Sequence, residues 1–135
     1  MIRIITFILI LMLAGQAQGI RIKIATLSPE GSVWMQKMRR GAEELARRTD
    51  NRVKIKFYPG GVMGDDKAVL RKIRIGQLQG GAFVSGSLSK FYPDNQIYSL
   101  PLHFRSFKEI DYVRGYLDKK IIDGFEKGGL VIFGI

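Results

Sequence analysis

The residues able to do chemistry are few in this sequence. Cysteine is absent and histidine occurs once, as His103. Thiolate catalysis, disulfides, Cys-based zinc sites and multi-histidine metal centres are therefore excluded. A Ser-His-Asp hydrolase would rest on His103 alone, and no Gly-x-Ser-x-Gly frames a nucleophile for it. Its setting, Pro101-Leu102-His103-Phe104, reads as that of a hydrogen-bonded structural histidine. The stretch Gly60-Gly61-Val62-Met63-Gly64-Asp65-Asp66-Lys67 has the glycines of a phosphate loop but not its chemistry. A P-loop needs adjacent Lys and Ser/Thr to reach phosphate and magnesium, whereas Asp65 and Asp66 put negative charge where a phosphate would sit. Neighbouring helix residues also diverge, so the two carboxylates make a poor metal pair. Capping and solvent exposure are the expected roles, with Asp65 as the N-cap. No Gly-x-Gly-x-x-Gly occurs, so a dinucleotide site has no support.

A different chemistry is open to Phe83-Val84-Ser85-Gly86-Ser87. This hydroxyl-rich stretch follows a predicted strand, and open α/β sheets bind ligands beyond the carboxyl ends of their strands. Ser28 sits at the matching end of the first predicted strand, where a helix start would offer free N–H groups to an anion. Ordinary turn chemistry also accounts for Ser85 and Ser87, and both readings stand at this level.

These loops need elements to position them, and the hydrophobic periodicity supplies the elements. Residues 20–26 alternate, with Ile20, Ile22 and Ile24 opposed to Arg21 and Lys23, which predicts a strand. Ser28-Pro29-Glu30 predicts a helix start, and the helix runs to about Arg48. Trp34, Met38, Ala42, Leu45 and Ala46 form its apolar stripe, with Trp34 as a core anchor. Thr49-Asp50-Asn51 is a turn, and Val53, Ile55 and Phe57 mark a second strand closed by Pro59-Gly60-Gly61. A helix capped by Asp65 follows, with Val69, Leu70 and Ile73 inward and Gly76 as its left-handed terminus. Residues 81–85 predict a third strand, residues 87–92 a short helical turn or loop, and residues 97–102 an apolar run ending in a proline turn. Ser106 caps a helix to about Lys119, a second short helix ends at Gly128-Gly129, and residues 130–135 read as a buried apolar strand. The order βαβαβ, helices, β predicts an α/β fold with a mostly parallel sheet flanked by helices. The chain reaches Ile135 inside its last predicted strand, which reads as an incomplete product.

The N-terminus sets the compartment. Arg3 precedes an uncharged 11-residue run over residues 4–14, shorter than a membrane span, and Ala17 and Gly19 stand where a signal peptidase reads. Residues 1–19 are therefore expected to be a cleavable secretory signal peptide, with a cut after Ala17 as the alternative, and the protein to be periplasmic. Lys and Arg number 22 against 12 Asp and Glu, a net charge of +10. The cations are scattered over three predicted elements and are not interleaved with aromatics, so nucleic acid is not an expected partner. Solvated faces explain them, as does a field that attracts anionic solutes or an acidic membrane surface.

Taken in order, several stretches resemble the periplasmic solute-binding component of tripartite ATP-independent periplasmic (TRAP) transporters, the DctP-type family. They are Ile22-Lys23-Ile24-Ala25-Thr26, Ala42-Glu43-Glu44-Leu45-Ala46-Arg47-Arg48-Thr49, Val53-Lys54-Ile55-Lys56-Phe57-Tyr58-Pro59-Gly60-Gly61, Met63-Gly64-Asp65-Asp66, Arg74-Ile75-Gly76, Phe91-Tyr92-Pro93 and Leu100-Pro101-Leu102. The resemblance implies a two-lobed clamp that closes on a small organic acid and docks on a membrane permease driven by an ion gradient. It implies neither catalysis nor a cofactor. Residues 20–135 would be part of the first lobe of this periplasmic-binding-protein-like fold. Lobe-one contacts would come from the loops after the first and third strands, here Thr26, Leu27 and Ser28, and Val84, Ser85, Gly86 and Ser87. In many members a carboxylate-pairing arginine lies just past the strand corresponding to residues 130–135. Arg105 and Arg114 do not match it, and no residue here takes that role. Two other classes stay open: a stand-alone exported interaction module without a small-molecule ligand, and an exported hydrolase using His103.

Overall fold

β1 (Ile20–Thr26) lies at the centre of a parallel sheet, between β2 (Val53–Tyr58) and β3 (Gly80–Ala82). The computed structural model describes residues 19–135, so the expected signal peptide lies, but for Gly19, outside the described residues. The register pairs Ile20 with Val53 through Ala25 with Tyr58 on one side, and Ile24 with Gly80 through Thr26 with Ala82 on the other.

Strand alternation then decides where the helices pack. Ile24 and Phe57 share one face, and the Arg39 guanidinium of α1 (Val33–Arg48) lies over the Phe57 ring at 5.9 Å. Ala25 points the other way, into a buried cluster with Val69 of α2 (Asp66–Arg74) and Leu78. α1 and α2 therefore cover opposite faces, as right-handed crossovers running in opposite directions, from β1 to β2 and then from β2 back past β1 to β3, require. The α/β fold with a parallel sheet flanked by helices is the one expected, with three strands among the described residues.

Several boundaries differ from expectation, each for a local reason. α1 is capped by Ser32, whose Oγ accepts from the Met35 N–H at 3.2 Å, and not by Ser28. Gly31 has φ +80°, which no helix accommodates, so residues 29–31 form a turn first. Met35 is fully buried and centres the inward stripe with Met38, Ala42, Leu45 and Ala46. Trp34 stands about 100° round the helix from Met35 and is 40% exposed, so it is not a core anchor. The Asp65 cap is as expected, its carboxylate accepting from the Ala68 N–H at 2.8 Å, and Gly76 takes φ +73°. β3 stops at Ala82 because the Phe83 ring folds back over Gly81, where a Cβ would lie 2.5 Å from it. The chain then makes two 3-10 turns, Ser85–Leu88 and Pro93–Ser99.

α3 (Phe107–Lys127) is one helix where two were expected. Ser106 caps it, and the buried Ile121 and Phe125 together with a Lys119–Asp123 pair at 2.7 Å carry it past residue 119. Residues 130–135 form no strand. β1 is already paired on both sides, and the three residues of β3 offer a further strand little ladder. Leu130 and Ile132 instead pack on the cluster of Leu70, Leu88, Ile121 and Phe125, while Phe133 is 99% exposed. No helix of the described residues is long and apolar enough to cross a membrane.

Candidate functional site

The strand order β2-β1-β3 creates a switch point. The chain leaves β1 toward one face of the sheet and reaches β3 from the other, and ligands of open α/β sheets bind where such strands end side by side. The paired ends here are Thr26 and Ala82. The expected residues therefore sit in two loops rising from adjacent strands.

The first loop is held from beneath. Thr26 is buried, and its Oγ1 accepts from the Ser28 N–H at 3.1 Å while its carbonyl accepts from the Gly61 N–H at 3.1 Å. The Ser28 carbonyl accepts from the Gly60 N–H at 2.8 Å. Gly60 and Gly61 have φ of +65° and +73°, so the loop after β2 supplies these donors from a backbone path that side chains disfavour. Leu27 is left exposed over Gly61. The Ser28 hydroxyl caps no helix, and this frees it for other partners.

The second loop is tied to different elements. Ser87 Oγ donates to Asp66 Oδ2 at 2.5 Å. Ser85 Oγ pairs with Ser99 Oγ at 2.5 Å, and the Ser85 carbonyl accepts from Asn95 Nδ2 at 2.6 Å. Val84 is exposed, and nothing lies within 4 Å of where a Gly86 Cβ would stand. Together the loops present an uncharged rim of hydroxyls, main-chain groups, Leu27 and Val84. That arrangement suits hydrogen bonding to a polar solute.

Asn95 and Ser99 belong to this neighbourhood and were not singled out by the sequence; Asp66 was, in another role. Asp66 is buried as the acceptor for Ser87, not exposed as expected. The polar turn Pro93-Asp94-Asn95 was the available signal for Asn95.

The nearest arginine of α1 is engaged. Arg39 Nε and Nη2 donate to both carboxylate oxygens of Glu30 at 2.9 and 2.5 Å. The Arg39 hydrogen bond holds the Glu30 carboxyl below the usual carboxylate range. Arg114 pairs with Asp118 at 3.1 Å and donates to the Ile135 carbonyl at 2.9 Å. His103 is exposed, its ring edge-on to Phe104 at 5.3 Å, and is not in the apolar setting expected of a hydrogen-bonded structural histidine. Among the described residues no cluster of His, Cys, Asp or Glu has the makings of a metal site.

A larger concavity, of about 700 Å³, lies beside α3 and is floored by Phe91, Tyr92 and Tyr116. Arg74, in the last turn of α2, stacks on Phe91 at 5.5 Å. The groove therefore lies toward the amino end of the sheet, away from the two loops. Lysines rim it, but Lys119 is paired with Asp123 and Lys120 lies 3.4 Å from Asp94.

Comparison with known proteins gives a consistent result. The sequence model of bacterial extracellular solute-binding protein family 7 (DctP) matches residues 24–135. A solute-binding protein of Chromohalobacter salexigens is 27% identical over 92 residues, which is 67% of this chain and 27% of that one. A TRAP periplasmic solute binding protein from Ochrobactrum anthropi superposes with TM-score 0.77 at 23% identity, over 88% of this chain and 38% of that one. Another, from Sulfitobacter sp. NAS-14.1 with bound β-D-galacturonate, superposes with TM-score 0.74 at 22% identity, over 84% and 38%. The chain thus spans well under half the length of these proteins.

Proposed function

The chain belongs to bacterial extracellular solute-binding protein family 7, and on that premise we propose that it supplies one wall of a cleft that captures a small organic acid of the sugar-acid type. The observation that carries this reading is the parallel pairing of Thr26 with Ala82, which sets the loops of residues 26–28 and 84–87 side by side. Their hydroxyls and main-chain groups match the hydroxyls of a polyhydroxylated acid. The galacturonate bound by the Sulfitobacter protein is such a solute. The second wall, and the cation that pairs the carboxylate, would come from residues equivalent to the remaining length of the relatives. Contacts to both walls would favour the closed state and no bond of the solute would change. Delivery to an ion-driven TRAP permease, and work in the periplasm after removal of residues 1–19, complete the proposal.

Thermal unfolding of the protein with both walls present, in D-galacturonate, succinate and D-galactose, tests it. D-galacturonate is expected to raise Tm more than succinate, and neutral galactose not at all. A Tm unmoved by any acid, or recovery of chemically altered solute, would overturn it.

A further inference from the structure

Asn95 is 2% exposed, yet its amide is used on one side only. Nδ2 donates to the Ser85 carbonyl at 2.6 Å, and the buried Oδ1 has no donor among the described residues. The orientation of the amide follows from that contact, since a carbonyl can only accept. A leucine of similar size would fill the space without leaving an acceptor unpaired, so packing does not explain the residue. Its effect is on the loop. Ser87 Oγ and Ser85 Oγ tie that loop through side chains, to Asp66 and Ser99, whereas Asn95 grips the main chain itself.

We propose that Asn95 is a positioning residue for the solute-facing loop, drawing the Ser85 carbonyl into the interior so that residues 84–87 meet an anionic solute without an opposing carbonyl dipole. The identity of the solute rests on the sugar-acid reading above; the grip on Ser85 does not.

Asn95→Asp tests it by making the grip depend on pH. An ionised carboxylate faces the Ser85 carbonyl as a second acceptor and the tie is lost. The protonated carboxyl donates its O–H to the same oxygen and the tie returns. The readout is hydrogen exchange of the Ser87 and Ser89 amides, which bond to the carbonyls of Val84 at 3.0 Å and Gly86 at 3.4 Å. Asp94, Lys120, Tyr92 and Asp66 are the other ionisable groups around the turn, and comparison with wild type at each pH removes their contribution. In Asn95→Asp these amides are expected to exchange about tenfold faster than wild type near pH 7, and at the wild-type rate near pH 4, because burial raises a carboxyl's pKa. Asn95→Leu is expected to exchange fast at both. D-galacturonate affinity should fall about tenfold in Asn95→Asp near neutral pH and recover on acidification, where the solute's own carboxyl is still ionised. Exchange in Asn95→Leu equal to wild type, or fast exchange in Asn95→Asp that does not reverse with acid, would overturn the assignment. If Asn95→Asp does not fold near pH 7, the uncharged Asn95→Leu decides on the same amides. pH-reversible exchange with no binding of D-galacturonate to wild type would sustain the role of Asn95 and count against the solute reading alone.

Discussion

The groove beside α3 and the crevice between the β1 and β3 loops invite opposite functional readings. The groove has the volume, the aromatic floor and the lysines. The crevice has hydroxyls, main-chain groups and two exposed aliphatic side chains, and Arg39 of α1 is bound to Glu30. Size and charge alone would place an organic acid in the groove. We place it instead in the crevice, because open α/β sheets bind ligands where strands reached from opposite faces end side by side, here at Thr26 and Ala82. Two of the groove's three lysines, Lys119 and Lys120, also spend their charge locally, on Asp123 and Asp94. A cavity's location in the topology is here the better guide than its dimensions.

The sharpest way to break this contrast is Phe125→Ala. Phe125 is buried beneath the groove and meets the Tyr92 ring edge-on at 6.0 Å. If the groove is the outer surface of a packing core, the substitution costs about 3–5 kcal/mol in denaturant unfolding. A loss under about 1 kcal/mol would mean that the groove is not built for packing.

Ser32→Ala and Ser28→Ala sharpen the contrast on the crevice side. Ser32→Ala removes the α1 cap and should cost about 1 kcal/mol of stability, with solute affinity unchanged. Ser28→Ala should leave stability within about 0.5 kcal/mol and weaken D-galacturonate binding. The reverse pattern would return Ser28 to the role of a cap.

Tyr98 links the two regions and reports on both. It lies in the Pro93–Ser99 turn and donates to Asp118 Oδ1 of α3 at 2.6 Å. Burial, and then that hydrogen bond, push it up to about 12 from 10.0. A raised pKa favours the protonated form in the folded state. The resulting stability is therefore full below about pH 10 and is lost as pH rises toward about 12. Ultraviolet titration should show a late-ionising phenol that Asp118→Asn brings down. A Tyr98 that titrates with exposed phenols would detach the turn from α3.

The smallest effect is expected at Lys127. Lys127→Glu on the groove rim should change D-galacturonate affinity by less than about twofold at physiological salt, since Lys127 lines the groove and neither crevice loop, and salt screens exposed charges. A larger loss would favour the groove as the acid site.

The same contrast explains what the sequence made legible. β1, β2, the Asp65 cap and the Thr49-Asp50-Asn51 turn follow from alternation and from side chains suited to one backbone conformation. The two loops were reachable as candidates because strand ends are where such sheets bind ligands, and the pairing of β1 with β3 sets them side by side. The start of α1 was misjudged because Ser28-Pro29 and Ser32 are both good caps, and only the φ of Gly31 decides between them. The apolar residues 130–135 mimic a buried strand. Leu130 and Ile132 pack on the cluster of α3 instead, and Val131 and Phe133 stay exposed; hydrophobicity does not reveal which apolar partner a segment takes. Asn95 was illegible because a polar residue in a polar turn looks like solvent-facing chemistry until its burial is known.

The most direct measurement is a map of amide chemical shifts during titration with D-galacturonate to about 10 mM, which registers even weak occupancy. Shifts concentrated at Leu27, Ser28, Ser85, Gly86 and Ser87 are the expected result. Shifts along Lys119, Lys120 and Lys127 instead, or none anywhere, would contradict the placement of the solute at the carboxyl ends of β1 and β3.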